Sequence, residues 1–284
     1  MRSLRQQQIV RYLDWQTAQI DKAIRGYERL LALLEERKTA VIVHTVENGL
    51  YMTGERRKSV FAWLGDYPAA WRETRLKHVL VKLNRPCAPE DELLICSNKG
   101  KVVKRGDSKL GLVSDKEEIY QGVHTGDLLI HGMDTWHGAI AISGYNGKCT
   151  PVVHVCDSKQ NKAYIAYYLR SLAYKNVYKK ISNGVRENTS DFRSWDKMGD
   201  LPVILPPIEE QKEIVAYLQD QEKCIAYLAC NFQREIDLLR ERRTRLIADV
   251  VTGQVDVRDI EVPAGAAGDA EVITDGDEYD GAGA

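Results

Sequence analysis

Apolar residues recur every seven positions in two long, otherwise polar segments, one at each end of the chain. A seven-residue apolar repeat keeps one side of a helix against a partner helix. The pattern therefore predicts two helical arms, over residues 1–50 and 207–256, that pack on each other or on arms of another subunit. The residues predicted at the helix contact are Leu13, Ile20, Tyr27, Leu34 and Val41 in the first arm, and Leu218, Ile225, Phe232, Leu239 and Leu246 in the second.

The two arms repeat one sequence. A shift of 205 positions aligns residues 6–46 with residues 211–251 without a gap. The motif QxxIVxYL begins both copies, LLxERxT recurs towards both ends, and a glycine follows each copy. A gapless repeat indicates one structural unit used twice, and a glycine is a common helix stop.

Between the arms, residues 51–206 alternate short apolar runs with turns rich in glycine and asparagine, which is typical of β-strands. One helix is predicted over 159–175, where tyrosines at helical spacing favour core packing over base stacking. The stretch 181–207 predicts a loop, a short helix and an extended edge. The runs predicted as strands are 78–83, 92–97, 126–132, 138–143 and 150–156. Together these elements predict an α/β (α+β) domain with a curved sheet.

The formal net charge of −1 hides two regions of opposite sign. Nine acidic residues and one arginine fall within residues 256–284, and the rest of the chain carries 39 basic and 32 acidic residues. Residues 257–284 are therefore predicted to form an acidic disordered tail. The remaining charge of +7 is compatible with a polyanion partner such as nucleic acid, although many proteins without such a partner reach it.

Several classes of protein are not supported by the sequence. No apolar run approaches the ~18 residues of a membrane span, and the first residues lack the apolar core of a signal peptide, so a cytoplasmic protein is expected. The six cysteines show no CxxC spacing and are interpreted as reduced thiols. The phosphate-binding motif GxxxxGK[ST], the GxSxG motif and the Asn-Pro-Pro-Tyr motif of adenine methyltransferases are absent, which favours a non-catalytic protein.

Three stretches resemble the specificity subunit of type I restriction–modification systems: LPVILPPIEEQKEIVAYL (201–218), LLRERRTRLIADVVTGQVDV (238–257) and GDLLIHGMDTWHGAIAIS (126–143). The resemblance covers about residues 5–258. It implies that residues 51–206 form a target recognition domain that reads one half of a bipartite DNA site. It also implies that the arms form an antiparallel spacer and dock methyltransferase (M) subunits, with a restriction (R) subunit in the full complex. S-adenosylmethionine would be bound by the methyltransferase partner, and no cofactor is expected in this chain.

The family's full subunit has two recognition domains, whereas this sequence resembles a half-subunit with one. A dimer of two copies, or pairing with another specificity chain, is therefore expected to supply the second domain. Two alternatives remain open from the residues. In the first alternative, the chain is a helical scaffold for a protein partner. In the second, it is a free-standing DNA-binding protein that competes with a full specificity subunit.

Double-stranded DNA is contacted through cations, amides and aromatic side chains on loops, and three stretches supply them. In the family, the loop before the LPP motif commonly lies at the DNA. The motif HGMDTWHG carries two histidines and an aspartate, but its position at a strand end favours a structural role over a metal site. The residues predicted to contact DNA are Lys99, Lys101, Lys104, Arg105 and Lys109; Trp136 and His137; and Asn183, Arg186, Asn188, Thr189 and Arg193.

Overall fold

The computed structural model describes residues 2–51, 54–106, 119–182 and 192–263. Contacts divide the chain into two compact units. Unit 1 comprises Met1–Glu35 and Cys224–Ala284, and unit 2 comprises Glu36–Lys223. The helices of the described residues are α1 (Arg2–Asn48), α2 (Lys162–Tyr174), α3 (Val177–Ile181), α4 (Trp195–Gly199) and α5 (Ile208–Val251). The two predicted arms are therefore α1 and α5, each of more than 40 residues.

In unit 1, the two long helices pack side by side with opposite directions. The rings of Tyr27 and Phe232 lie 5.7 Å apart between centroids, and Arg243 Nη1 lies 2.6 Å from Asp21 Oδ1. Partner numbers fall in α5 as they rise in α1, which is the mark of an antiparallel pair. Ile236 is 1% exposed in the cluster that joins the two helices. The prediction of two long antiparallel helices is confirmed.

The predicted contact residues lie on the sides of α1 and α5 that are at least partly buried. Ile20, Leu218 and Ile225 are buried, and the other seven are intermediate between buried and exposed. The sequence pattern missed Ile24 and Ile236, which are buried at the same helix contact. Both lie outside the strict seven-residue register, because a helix turns by 3.6 residues and its buried stripe is wider than one position.

The segment after α5 corrects the predicted start of the acidic tail at residue 257. Val257 is 2% exposed and joins a cluster with Tyr12 and Val250. The Gln8 side-chain amide donates to the carbonyl of Ile260 at 2.7 Å. Residues 257–262 are thus packed against α1, because apolar side chains alternate with the acids there. Residues 264–284 lie outside the described part.

Unit 2 is built on short antiparallel strands. Its largest sheet has four strands in the order β4-β11-β8-β9, and the others are two-stranded: β1–β2, β3–β12, β5–β6 and β7–β10. The strands are β1 (Arg56–Lys58), β2 (Asp66–Pro68), β3 (Arg72–Arg75), β4 (Leu80–Leu83), β5 (Leu94–Ser97), β6 (Lys101–Lys104), β7 (Gln121–Val123), β8 (Leu128–His131), β9 (Ile140–Ile142), β10 (Gly147–Cys149), β11 (Val153–Ser158) and β12 (Pro202–Leu205). Each predicted run contains or overlaps one strand, and the α+β class is confirmed.

The helix α2 fills the core of unit 2. Asn161 caps it, since its side-chain oxygen accepts from the backbone N–H groups of Ala163 and Tyr164. The hydroxyls of the buried Tyr164 and Tyr168 donate to the carbonyls of Ile204 and Pro202, both at 3.0 Å. Burial raises the pKa of both phenols well above their ordinary value. These tyrosines therefore serve packing, as their helical spacing predicted.

The start of α5 is fastened to the domain by a buried glutamine. The Gln211 side chain accepts from the backbone N–H of Asn161 at 3.0 Å and donates to the carbonyl of Pro206 at 2.8 Å. Close by in the chain, Glu210 Oε2 accepts from the indole N–H of Trp71 at 3.0 Å. The motif that opens α5 thus holds the start of the helix to the rest of unit 2.

Candidate nucleic-acid interface

The hairpin of β5 and β6 presents a basic turn, which we call the lysine turn (residues 97–101). Lys99 and Lys101 are exposed on either side of Gly100. Gly100 has φ +68°, a left-handed conformation that glycine adopts without strain. The Ser97 hydroxyl donates to the Lys101 carbonyl at 2.8 Å and closes the turn. The turn therefore presents two ammonium groups on a short, tightly closed loop.

Of the two other cations of this hairpin, Lys104 has side-chain partners, and Arg105 is held by its backbone. Lys104 Nζ lies 2.7 Å from Glu92 Oε2 and 5.4 Å from the centre of the Tyr145 ring. The carboxylate of Glu92 raises the pKa of Lys104, so the ammonium group stays charged. The backbone N–H of Arg105 donates to the carbonyl of Leu93 at 2.9 Å. Lys104 is therefore partly neutralised, which weakens its case as a phosphate ligand relative to Lys99 and Lys101.

A second turn follows β8, and we call it the tryptophan turn (residues 134–138). A single 3-10 turn over Thr135–His137 ends at Gly138, which has φ +78°. The His137 side chain is 52% exposed, and its ring lies 5.4 Å from that of Trp136 between centroids. The ammonium group of Lys179 lies 5.4 Å from the centre of the Trp136 ring. The turn thus presents an imidazole edge beside a cation–aromatic pair.

The lysine turn and the tryptophan turn are neighbours in unit 2. A Cβ atom on Gly138 would lie 3.7 Å from the Asn98 carbonyl oxygen. The short helix α3 packs beside the tryptophan turn and brings Lys179 and Lys180, both exposed, to the same region. Two of the three stretches predicted to contact DNA are therefore brought together, although they lie more than 30 positions apart in the sequence.

The third predicted stretch is described only at its borders. Asn183, Arg186, Asn188 and Thr189 lie outside the described residues, as does Lys109 of the first stretch. Arg193 is exposed and follows the buried Phe192. Before the stretch, α3 ends at Ile181, in the helix that carries Lys179. The chain therefore enters this stretch next to the tryptophan turn.

A buried histidine holds the far border of that stretch. The Nε2 atom of His154, a residue that is 1% exposed, donates to the carbonyl of Phe192 at 2.8 Å, and the imidazole packs edge-on against the Trp195 ring. Its Nδ1 atom has no hydrogen-bond partner among the described residues. Burial lowers the pKa of His154, so the neutral imidazole is favoured. His154 therefore connects β11 to the segment that carries Arg193.

The histidines of HGMDTWHG make local contacts within their own turn. The backbone N–H of Asp134 donates to His131 Nδ1 at 3.1 Å, and burial lowers the pKa of His131. His137 Nδ1 lies 3.9 Å from Asp134 Oδ1, which is too long for a hydrogen bond. In the part of the chain that the structure describes, no group of three or more metal-binding side chains converges. The His131–Asp134 contact closes the turn, which is a structural use.

A curated protein of Methanocaldococcus jannaschii, provisionally named the type I restriction enzyme MjaX specificity subunit, is 25% identical over 206 residues. The match covers 66% of this chain and 47% of that protein. The chain is a relative of type I restriction specificity subunits. It spans about half the length of the curated specificity subunit that it matches, and it matches no protein-family profile.

Solved structures of type I systems share the fold. The HsdS subunit from Thermoanaerobacter tengcongensis has a TM-score of 0.51 at 14% identity, covering 88% of this chain and 59% of that one. A chain from a structure of complex assembly and conformational transition of the type I R-M system has a TM-score of 0.55 at 14% identity, covering 84% and 58%. At this identity the likeness concerns the fold: long helices bracketing a small mixed domain, as in HsdS.

Sequence reasoning missed three basic residues at this site of the specificity-subunit fold. Lys179 and Lys180 follow a predicted helix, and only the fold brings α3 beside the tryptophan turn. Arg170 lies within the tyrosine-rich helix α2 and is 6% exposed beneath the lysine turn. A cation inside an otherwise apolar helical stretch was the available signal.

Among the described helices, none is long and apolar enough to cross a lipid bilayer.

Proposed function

We propose that the chain is a non-catalytic DNA-specificity subunit of a type I restriction–modification complex. Its recognition domain would read one half of a bipartite DNA site. The observation that carries the proposal is the shared fold with chains of type I systems, at TM-scores of 0.51 and 0.55. The relation to a curated specificity subunit supports the same role.

The DNA would lie across the lysine turn and the tryptophan turn. Lys99 and Lys101 would contact phosphates, because exposed ammonium groups on a turn bind the backbone without reading sequence. His137 and Arg193 have donors suited to base edges in a major groove. The predicted residues Asn183, Arg186, Asn188 and Thr189 would add further donors and acceptors for sequence readout. Trp136 would add an aromatic surface beside His137, with its indole contacted by the ammonium group of Lys179.

The arms would bind the protein partners. On unit 1, apolar side chains remain exposed along both helices: Leu30 at 42%, Leu33 at 49% and Leu238 at 49%. Exposed apolar patches are more often protein-binding surfaces than the rest of a protein's surface is. These faces would dock methyltransferase subunits, which bind S-adenosylmethionine and catalyse adenine methylation in the cytoplasm. A restriction subunit would join the full complex. A second copy, or another specificity chain, would read the other half-site.

A gel-shift assay with and without the methyltransferase subunit tests the proposal. Binding of a bipartite duplex by the assembled complex is the expected result. Absence of DNA binding in either case would favour the helical scaffold. Tight binding by the chain alone would favour the free-standing competitor. Methylation profiling of host DNA gives an independent readout, since deletion of the chain should abolish one gapped adenine-methylation motif.

Replacing Lys99 and Lys101 together by alanine tests the proposed orientation. Each phosphate contact contributes about 0.9 to the slope of log affinity against log salt. The double variant should therefore lower that slope by about 2 without changing which site is preferred. The control is Lys159→Ala, which removes an exposed lysine just before the first residue of α2. Equal salt slopes for the double variant and the wild type would exclude the lysine turn from the interface.

A further inference from the structure

An arginine is buried in α2 directly below the proposed interface. Arg170 is 6% exposed. Its Nη2 atom donates to the Tyr174 hydroxyl at 2.7 Å, and its guanidinium lies 5.7 and 5.8 Å from the ring centres of Tyr167 and Tyr174. Nη1 lies 3.7 Å from Glu222 Oε1 on α5. The arginine therefore joins α2 to α5 inside unit 2.

This arrangement is costly for stability alone. A buried cation loses its hydration, and the attraction to one carboxylate at 3.7 Å offsets only a small part of that free-energy cost. The Nε atom of Arg170 has no hydrogen-bond partner among the described residues. Glu222 is shared, since its Oε2 atom accepts from the Tyr167 hydroxyl at 2.6 Å. A leucine or methionine would fill the same helix position without these penalties, so the charge and planarity of Arg170 have another use.

The lysine turn rests on the guanidinium plane. A Cβ atom on Gly100 would lie 2.6 Å from Arg170 Cζ and 2.7 Å from its Nη1 atom. Only glycine lets the backbone approach this closely, and Lys99 and Lys101 flank it. A Cβ on Gly138, at the end of the tryptophan turn, would lie 4.0 Å from Arg170 Cγ. One side chain therefore supports both turns.

We propose that Arg170 is a positioning residue that seats the lysine turn against α2 and, through Glu222, fixes it relative to α5. Its flat, rigid guanidinium supports the Gly100 backbone, and the two tyrosine rings keep the guanidinium from rotating. Lys99 and Lys101 are thereby held at fixed positions for phosphate binding. This last step rests on the proposed function, whereas the seating of the turn does not.

Two readouts separate the seating from the DNA role. The first is per-site thiol labelling followed by mass spectrometry. Cys96 lies in β5, is 4% exposed, and burial raises its pKa to about 12, so it reacts only when the hairpin opens. Cys156 in β11 is 0% exposed and reports opening of the central sheet. Arg170→Met should raise labelling of Cys96 severalfold and leave Cys156 protected.

A glycine pair gives a matched test that leaves Arg170 in place. Gly100 and Gly106 both have positive φ, but an added Cβ would meet the guanidinium only at Gly100, and at Gly106 it would meet no atom of the described residues within 4 Å. Gly100→Ala should reproduce the Cys96 labelling of Arg170→Met, and Gly106→Ala should not. Equal labelling in the two alanine variants, or equal gains at Cys96 and Cys156 in Arg170→Met, would overturn the seating.

The second readout is the salt slope of DNA binding by the assembled complex. Arg170→Met should lower the slope by about 2, as loss of two phosphate contacts does. Combining it with the Lys99 and Lys101 alanine changes should lower the slope no further, because all act on the same contacts. Additive losses would refute positioning through the turn. If the wild-type complex binds no DNA, the proposed function fails, and the thiol data alone decide the seating. Lys162→Met, which removes a cation from the same helix, is the control.

Discussion

The repeated motif of the two arms allows a matched test of what buries a polar side chain. Gln6 and Gln211 occupy equivalent positions, one residue type in two settings. Gln211 is 0% exposed and makes three hydrogen bonds, to Asn161, Pro206 and Gln160. Gln6 is exposed on α1. Replacing each by alanine changes the same atoms and differs only in what surrounds them.

The expected magnitudes differ severalfold. Gln211→Ala removes the partner of the part-buried Asn161 N–H and of the buried Pro206 carbonyl, at about 1–3 kcal/mol for each group left unsatisfied. Water entering the gap would recover part of this, so a loss of about 2–4 kcal/mol is expected. Gln6→Ala should change the free energy of unfolding by less than about 0.5 kcal/mol, as exposed substitutions usually do.

Gln6 lies in unit 1 and Gln211 in unit 2, so urea unfolding is followed by helical circular dichroism for both units and by tryptophan fluorescence for unit 2. Four of the five tryptophans lie between residues 63 and 195, so the signal reports mainly this unit. Gln211→Ala should lower the midpoint and leave the slope against urea unchanged. A loss below about 0.5 kcal/mol for Gln211→Ala, or equal losses for the two variants, would show that burial of this glutamine does not stabilise the domain.

Three further predictions concern other contacts. Lowering the pH below about 6.5 should lower the free energy of unfolding more for the wild type than for His154→Gln. Burial lowers the pKa of the folded-state imidazole, so the unfolded chain binds the proton first and stability falls until the folded-state pKa is reached. Parallel curves of stability against pH would show that His154 does not cause the loss. Gly132→Ala should lower the melting temperature, since the added Cβ would lie 2.8–3.0 Å from three backbone atoms. Gly144→Ala should leave it unchanged, because the added Cβ would meet no atom of the described residues within 4 Å. Similar shifts for the two variants would contradict close packing at Gly132. Ile236→Ala should cost about 2–5 kcal/mol in unfolding of the helix pair and Ile247→Ala, 40% exposed, much less; equal costs would argue against the observed helix contact.

The helices and the longer strands could be predicted because their signals are local. A seven-residue register fixes which side of an arm is buried, and an alternation of apolar residues with turns marks a strand. The short strands were missed for the opposite reason. Arg56–Lys58 consists of three exposed cations, and its pairing with Asp66–Pro68 is decided by the fold rather than by its own pattern.

The candidate interface was predictable in its parts and not in its arrangement. Glycine beside lysine indicates an exposed basic turn, and the structure places Lys99 and Lys101 exposed on such a turn. The contact between that turn and Gly138 depends on two hairpins meeting over α2, which no local pattern encodes. Arg170 was not predicted because the tyrosines around it indicate core packing. The tail boundary failed similarly, since Val257 is buried by Tyr12, far away in the sequence.

The end of the first arm and the start of the second lie against each other. A Cβ on Gly49 would lie 2.8 Å from Glu210 Oε1 and 3.0 Å from the Trp71 ring. The polypeptide thus leaves one helix and returns to the next through adjacent points. A domain inserted at such a pair of points can be exchanged without displacing its attachments. Replacing the segment between residues 49 and 210 would therefore change the inserted domain and leave both helices and their junction in place.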